Sequence, residues 1–244
     1  MIVDVHCHLG SYGRHVWTAK RLLADMDACG VDKAVVFPTG GHKPTDYSKE
    51  NDQALNAVQR YPHRLVGFAR VNPHYGSSAA AEVERAISKG MRGVKLHPTM
   101  EVFPANSPLV DPIMETASRL KIPVLIHAGS PPYALPSQVA DVASRFAEVT
   151  VIMGHMGGSG LVIDAVPSAK RAENLLLETS GVARRLAIEE AVRTLGAHRV
   201  VFGSDWPYSH PSPEIAKIRV LDITEDERRR VLGGNMAELL RLKL

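Results

Sequence analysis

Residues 2–8 read Ile2-Val3-Asp4-Val5-His6-Cys7-His8. A Val-rich run opens the chain and ends on two histidines one residue apart, which is the pattern of a short buried strand with a polar tip. Side chains alternate along a strand, so His6 and His8 share one face and Cys7 takes the other. The same shape recurs. Apolar runs at Lys33–Pro38, Leu65–Pro73, Gly93–Pro98, Pro123–Gly129, Thr150–Gly157, Leu175–Gly181 and Val200–Pro207 start 25 to 32 residues apart. Between them lie segments of helical periodicity: Ala19–Cys29, Asp52–Arg60, Ala79–Lys89, Ile113–Leu120, Val139–Phe146, Ile163–Ala172 and Ile188–Leu195. Gly30, Gly90 and Gly196 stand just past three of them, where a left-handed residue ends a helix.

Strands alternating with helices call for a parallel sheet with helices packed outside. Eight near-equal units in 244 residues match an α/β fold, a closed (β/α)8 TIM barrel, with extra helices at the C-terminus. An open doubly wound sheet would place a glycine-rich phosphate loop after its first strand. Here that strand ends in His-Cys-His. Thr224-Glu225-Asp226-Glu227 forms a capping box that opens a C-terminal helix. Gly233-Gly234 is expected to break it, with Asn235 capping a last short helix to Leu244. No linker or low-complexity tract interrupts the chain, so residues 1–244 read as one domain.

Composition narrows the function classes. The hydrophobic fraction is 45% and the charged fraction 23%, ordinary for a globular protein and unlike a disordered one. No window approaches the roughly 18 uninterrupted apolar residues of a membrane span. The N-terminus lacks a basic flank ahead of an apolar run, so no secretory signal is read there. The net charge of +3 points to no particular partner. Arg228-Arg229-Arg230 follows Glu225-Asp226-Glu227 as a solvated helix face, not a nucleic-acid stripe. Two cysteines, Cys7 and Cys29, give no disulfide framework and fit a reducing cytoplasm. The unusual abundance is histidine, with 11 copies.

Those histidines gather where such a barrel keeps its chemistry, at the C-terminal ends of the strands. His6 and His8 end the first strand. Lys95 and His97 end the fourth, His127 the fifth and His155 the sixth. Glu178 lies near the end of the seventh, and Asp205 ends the eighth. Three nitrogens and one carboxylate converging on one basin suit Zn²⁺ first, with Mn²⁺ and Fe²⁺ as alternatives. Leaving such groups unpaired at the top of an apolar barrel would be costly.

VDVHCH at 3–8, GVKLHP at 93–98, IHAG at 126–129, GHMGG at 154–158, ETSG at 178–181, GSDWP at 203–207 and GNMAELL at 234–240 stand in one order along the chain. In that order the sequence resembles the amidohydrolase superfamily. More narrowly it is similar to the amidohydrolase-2 branch, which includes aminocarboxymuconate-semialdehyde decarboxylase and related decarboxylases and hydrolases. The resemblance implies that His6, His8, His127 and Asp205 bind the metal. In single-metal relatives the histidine at the position of His155 hydrogen-bonds the bound water or a substrate oxygen. In two-metal relatives it binds a second ion, and a carboxylated lysine at the position of Lys95 bridges the pair. One ion with an uncarboxylated Lys95 is the expectation here, and a second ion is the alternative. A divalent ion lowers the pKa of bound water to about 7, and Asp205 can then take and return the proton.

The loops should set the substrate. Pro38–Ser48 carries His42, Thr99–Pro108 carries Phe103, Ser130–Pro136 carries Tyr133, and Trp206–Pro213 carries Trp206, Tyr208 and His210. Trp206, Tyr133, His97 and Glu178 are read as substrate-binding. Arg70, Arg184 and Arg14 are candidates for holding a carboxylate. The leading expectation is hydrolysis of an amide, ester or lactone of a small, carboxylated organic molecule. Metal-dependent decarboxylation of an aromatic or muconate-type acid is the alternative, and a metal-binding barrel without activity is the third. A small-molecule substrate is the expected partner, with no nucleic acid and no membrane. A homo-oligomer is allowed by the short loops, which leave the site open or completed by a neighbouring subunit.

Overall fold

The computed structural model describes residues 1–40 and 45–242; His42 lies outside the described residues. Eight parallel strands close into a barrel. They are Val3–Tyr12, Lys33–Pro38, Leu65–Gly67 continued by Ala69–Arg70, Val94–Leu96, Val124–Ile126, Val151–Met153, Leu175–Glu178 and Val200–Val201. The third strand changes partner halfway. Leu65–Gly67 pairs with the second strand and Ala69–Arg70 with the fourth. The seam between first and eighth strands is closed by backbone bonds. Val5 N–H donates to Phe202 O (3.1 Å), Trp206 N–H to His6 O (3.1 Å) and His8 N–H to Trp206 O (2.8 Å).

Apolar residues divide between two cores. Val5, Val35, Phe37, Phe68, Leu125, Ile152 and Val201 fill the barrel with Met236 of the C-terminal helix and Leu240 just past its end. Leu22, Met26, Val83, Ile113, Val139, Ile188 and Ile215 join the outer core of helices and strands. Each such side chain contributes about 1.5–3 kcal/mol by leaving water. The barrel core is therefore plugged below, and the polar strand tips are left at the top.

The expected alternation holds where the chemistry needs it and fails just before. Cys7 belongs to the outer core, away from His6 and His8. Strict alternation would then send Val3 and Val5 outward too, yet both lie in the inner core. The register against the second strand shifts between Asp4 and Cys7. That irregularity flips the face, as a bulge does. It also frees His6 N–H, which bonds the Asp4 carboxylate at 3.1 Å. The first strand runs past the expected end at His8 to Tyr12, turning through Gly13 (φ 60°) into an antiparallel strand His15–Trp17.

Helix Ala19–Cys29 forms as expected, with Thr18 Oγ1 accepting from Arg21 N–H (3.3 Å) and Gly30 at φ 70° ending it. Other helices begin up to four residues earlier than periodicity suggests. Asp111–Leu120 and Pro136–Arg145 each take a proline into the first turn, where no N–H is needed. The expected helix over 163–172 is replaced by Val162–Asp164 and Ala165–Ala169. Helix Pro211–Arg219 was not anticipated; its prolines look like breakers but occupy the first turn, and His210 Nδ1 caps Ser212 N–H at 3.2 Å.

The C-terminal reading needs correction. The capping box at Thr224 is present, but Gly233-Gly234 does not break the helix. The backbone continues through a π segment, Arg230–Gly234, into Asn235–Leu239. A Cβ on Gly233 would lie 2.5 Å from Met1 O and 2.9 Å from Val3 N, so glycine permits close approach to the first strand. Asn235 is no cap. Its buried amide donates to Ala197 O (2.7 Å) and Val200 O (2.8 Å), tying the last helix to the eighth strand. Among the described residues no helix is long and apolar enough to cross a membrane, and both cysteines are free.

Candidate active site

A cavity of about 260 Å³ opens at the C-terminal ends of the strands. It is lined by five histidines (His6, His8, His97, His127 and His155), by Asp205 and Arg70, and by Tyr12, Tyr208, Gly40 and Met100. Strand ends deliver them because side chains there meet neither the packed barrel below nor the helices outside. Tyr12 is two steps of alternation beyond His8, a signal the short first-strand reading missed. Gly40 and Met100 carried no sequence signal.

Three donor atoms converge. His8 Nε2 lies 3.0 Å from Asp205 Oδ1, and His6 Nε2 lies 3.3 Å from the same oxygen. His6, His8 and Asp205 offer ligand atoms within 4.8 Å of one another. On its other side, His6 Nδ1 meets Glu178 Oε2 at 2.9 Å. Assigning the proton to that contact leaves Nε2 as a lone pair aimed at the Asp205 carboxylate. Two acceptors lie 3.3 Å apart with Lys95 Nζ 3.2 Å from the same Nε2, and a divalent cation between them would remove their repulsion. The donor set therefore fits a divalent metal. Asp205 is held there at φ 62°, a strained conformation for a non-glycine residue costing about 1–3 kcal/mol.

Glu178 sits beneath this group, fully buried. Besides His6 it accepts from His155 N–H (3.0 Å), Ser180 Oγ–H (2.9 Å) and Ser180 N–H. Its oxygens are committed to positioning. His6, His155 and Glu178 also cluster, but these hydrogen bonds saturate that group.

His127 stands apart from the His6–His8–Asp205 set. Its Nε2 meets Ser130 Oγ at 3.0 Å, its Nδ1 meets His155 Nε2 at 3.1 Å, and its ring stacks on His97 at 3.9 Å. His155 Nδ1 contacts Ser180 O at 3.2 Å. A carbonyl only accepts, so the proton order runs Ser130 to His127 to His155 to Ser180. His155 and Met156 hold φ of 59° and 45°, bending the sixth strand so that His155 reaches His127.

The electrostatics follow burial. His6, His97 and His127 lie well below the ordinary imidazole range, through desolvation first and neighbouring positive charges second. His8 falls to about 4 because burial outweighs the Asp205 contact. Neutral imidazoles are the metal-binding form. Burial alone would raise the Asp205 carboxyl. The His8 hydrogen bond and the charges of His8, His155 and Lys95 outweigh it, and the group lies below its usual value. Lys95 is buried with Nζ 3.2 Å from His6 Nε2, and desolvation lowers its ammonium to about 7.

Other sequence candidates lie elsewhere. Trp206 pairs with Cys7 across the seam and shares its outward face; it is buried in the outer core and donates from Nε1 to Asp25 at 2.8 Å. Phe103 is buried in the same core. Tyr133 is half-buried on its loop and does not line the cavity. His97 lines it, and its Nδ1 also caps Met100 N–H at 3.3 Å. Arg14 and Arg184 are exposed and absent from the lining, whereas Arg70 is part of it.

A closed eight-stranded barrel whose strand tips carry His-x-His, further histidines and an aspartate defines a class of metal-binding barrel. A family model described as amidohydrolase matches residues 3–242, and the chain belongs to that family. Among its relatives, gamma-resorcylate decarboxylase of Polaromonas sp. is 24% identical over 247 residues, covering 80% of this chain and 76% of the relative. Among solved structures, 5-carboxyvanillate decarboxylase from Sphingomonas paucimobilis superposes with a TM-score of 0.81 at 19% identity, covering 99% of both chains. The 5-carboxyvanillate decarboxylase from Novosphingobium aromaticivorans, complexed with manganese and 4-hydroxy-3-methoxy-5-nitrobenzoic acid, gives 0.80 at 17% identity, covering 99% of this chain and 96% of that one.

Proposed function

We propose that this chain is a metal-dependent decarboxylase of a small aromatic carboxylic acid. The observation that carries the reading is the cavity of about 260 Å³, walled by Tyr12 and Tyr208, directly at the His6–His8–Asp205 group. It lies just below the roughly 300–1,000 Å³ of ordinary ligand pockets, a size for a single-ring acid. The relatives support the reaction class, since they are named as decarboxylases of aromatic acids. This reverses the order set by sequence. Hydrolysis of an amide, ester or lactone needs the same residues but draws support only from the wider superfamily.

His6, His8 and Asp205 would hold one divalent ion, with His127 as the further ligand the family resemblance implies. The manganese in the Novosphingobium relative moves Mn²⁺ ahead of Zn²⁺ as the expected metal. When bound, the ion supplies electrostatic stabilisation of negative charge developing on the substrate. Decarboxylation breaks the bond between ring and carboxylate. The electron pair stays on the ring carbon, that carbon takes a proton, and carbon dioxide leaves. Asp205 is the partly exposed acid–base group facing the cavity; ionised at rest, it takes a proton from a substrate hydroxyl or solvent water and passes it to the ring carbon. His155, fixed by Ser180 and Glu178 with its Nδ1–H spent on Ser180 O, accepts at Nε2 from a substrate hydroxyl. His97 forms part of the wall, Lys95 stays uncarboxylated, and Glu178 and Trp206 act from behind.

The test supplies manganese-loaded protein with 2,6-dihydroxybenzoate, carboxylated vanillates, and a matched set of lactones and aryl esters. Carbon dioxide released from an aromatic acid, lost in Asp205→Asn, is the expected result. Turnover confined to lactones or esters would return the reading to hydrolysis.

A further inference from the structure

Asp4 stands two residues before His6, is 0% exposed and does not line the cavity. Its Oδ1 accepts from two backbone groups, His6 N–H at 3.1 Å and Ser204 N–H at 2.9 Å. The second donor lies 200 positions along the chain. One oxygen thus joins the first strand to the loop that follows the eighth. The other oxygen, Oδ2, is buried and accepts no hydrogen bond among the described residues. Burying a half-satisfied carboxyl group is costly. A position that served packing alone would avoid that cost with an aliphatic side chain, as the buried neighbours Val3 and Val5 do.

Both amides belong to the segments that carry His6 and Asp205. The register of the first strand shifts between Asp4 and Cys7, so His6 N–H is held by Asp4 and not by the ladder. Ser204 directly precedes Asp205, and its Oγ accepts from Trp206 N–H at 3.1 Å on the far side. Trp206 N–H also donates to His6 O at 3.1 Å. Asp205, at φ 62°, is therefore flanked by two amides that both lead back to the first strand. Ser204 N–H does so through Asp4, and Trp206 N–H through His6. The segments approach closely, since a Cβ on Gly203 would lie 3.0 Å from His6 Cβ. The outcome is one spacing, 3.3 Å between His6 Nε2 and Asp205 Oδ1. Two atoms that share an ion need their positions held to within about 0.5 Å.

We propose that Asp4 is a positioning residue for the metal-binding group, with its Oδ1 setting the spacing of His6 and Asp205 by holding the amide of one and the amide before the other. The inference rests on the metal-dependent reading for the ion that uses this spacing, and on the two hydrogen bonds for the clamp itself. The clamp needs one acceptor oxygen at this place and no charge. Asp4→Asn keeps that oxygen, and Asp4→Ala removes it.

The experiment compares the wild type with Asp4→Asn and Asp4→Ala by Mn²⁺ calorimetry, by the visible absorption bands of cobalt-loaded protein, and by NMR of the metal-free protein. Asp4→Ala should lose about 10–100-fold in Mn²⁺ affinity, the usual cost of removing a group behind a metal ligand, and should shift the cobalt bands. Asp4→Asn should stay within threefold of the wild type with the bands unmoved. In the metal-free protein, the His6 and Ser204 amides should exchange slowly in the wild type, and their signals should move together with the His6 ring in Asp4→Ala. A lower melting temperature in Asp4→Ala with unchanged Mn²⁺ affinity and cobalt bands would reduce Asp4 to a packing role and overturn the proposal. If Asp4→Ala does not fold, Asp4→Ser, whose hydroxyl is too short to reach both amides, gives the same readouts, and fast exchange at either wild-type amide overturns the clamp without any variant. If the wild type binds no divalent ion, the metal reading falls; the clamp then stands where the His6 ring and both amides move in the variant, and falls where they do not.

Discussion

Glu178→Gln tests how the proposed metal-binding group is held. In the wild type, one carboxylate oxygen accepts from His6 Nδ1 (2.9 Å), His155 N–H (3.0 Å) and Ser180 Oγ–H (2.9 Å), and the other accepts from Ser180 N–H. A glutamine keeps one acceptor oxygen. If that oxygen stays with the three donors, the new NH₂ faces Ser180 N–H, donor against donor. One hydrogen bond to a charged group is lost, about 1.5–3 kcal/mol. In a chain of this length that lowers the melting temperature by roughly 3–12 °C. The remaining contact to His6 becomes neutral, so the imidazole is less basic at Nε2. Changes of this kind behind a metal ligand typically cost about 10–100-fold in metal affinity. The assay is a Mn²⁺ titration by calorimetry alongside a thermal melt of the metal-free protein. Unchanged Mn²⁺ affinity in a folded Glu178→Gln protein would refute the role given to Glu178. A rise in substrate KM with metal affinity intact would restore it to the substrate side.

His8→Ala should lose bound metal by elemental analysis, because its Nε2 faces the oxygen that His6 also faces. Cys7→Ala should leave metal content unchanged and cost about 1–2 kcal/mol in chemical unfolding, since the thiol packs in the outer core. Gly233→Ala should destabilise by about 1–3 kcal/mol through overpacking against Met1 O and Val3 N; a melt with no shift would contradict the close approach. Lys95→Ala should keep the metal and weaken turnover. A second ion in metal analysis of the wild type, lost in this variant and accompanied by stimulation with bicarbonate, would show that Lys95 bridges two ions.

The barrel was legible because its signal is local and repeated. Each strand is a short apolar run, each helix a periodic one, and eight repeats leave few topologies. The site was legible to the same depth. His6, His8, His97, His127, His155 and Asp205 stand at strand tips, and all of them line one cavity. Phase was not legible. The face of a strand residue depends on its partner strand, and the register shift between Asp4 and Cys7 leaves no mark in composition. Trp206 shows the same limit. It follows Asp205 directly, yet pairing with Cys7 turns its ring into the helices.

Partner choice within the cavity was equally hidden. His127 and Asp205 carry similar sequence signals, but Asp205 meets His6 and His8 while His127 meets Ser130 and His155. The difference lies in positive-φ residues, His155 and Met156 on one strand tip and Asp205 on another, which no propensity anticipates in non-glycine residues. His155 and Asp205 hold this conformation in the cavity wall, whereas Tyr47, Val102, Lys121 and Arg241 hold it outside the lining. Strain of this kind persists only where surrounding contacts hold it: Glu178 and Ser180 hold His155, and His8 together with the barrel seam holds Asp205. The proposed chemistry of this barrel therefore rests on contacts between strands far apart in sequence, with His6 and Glu178 joined across 172 positions.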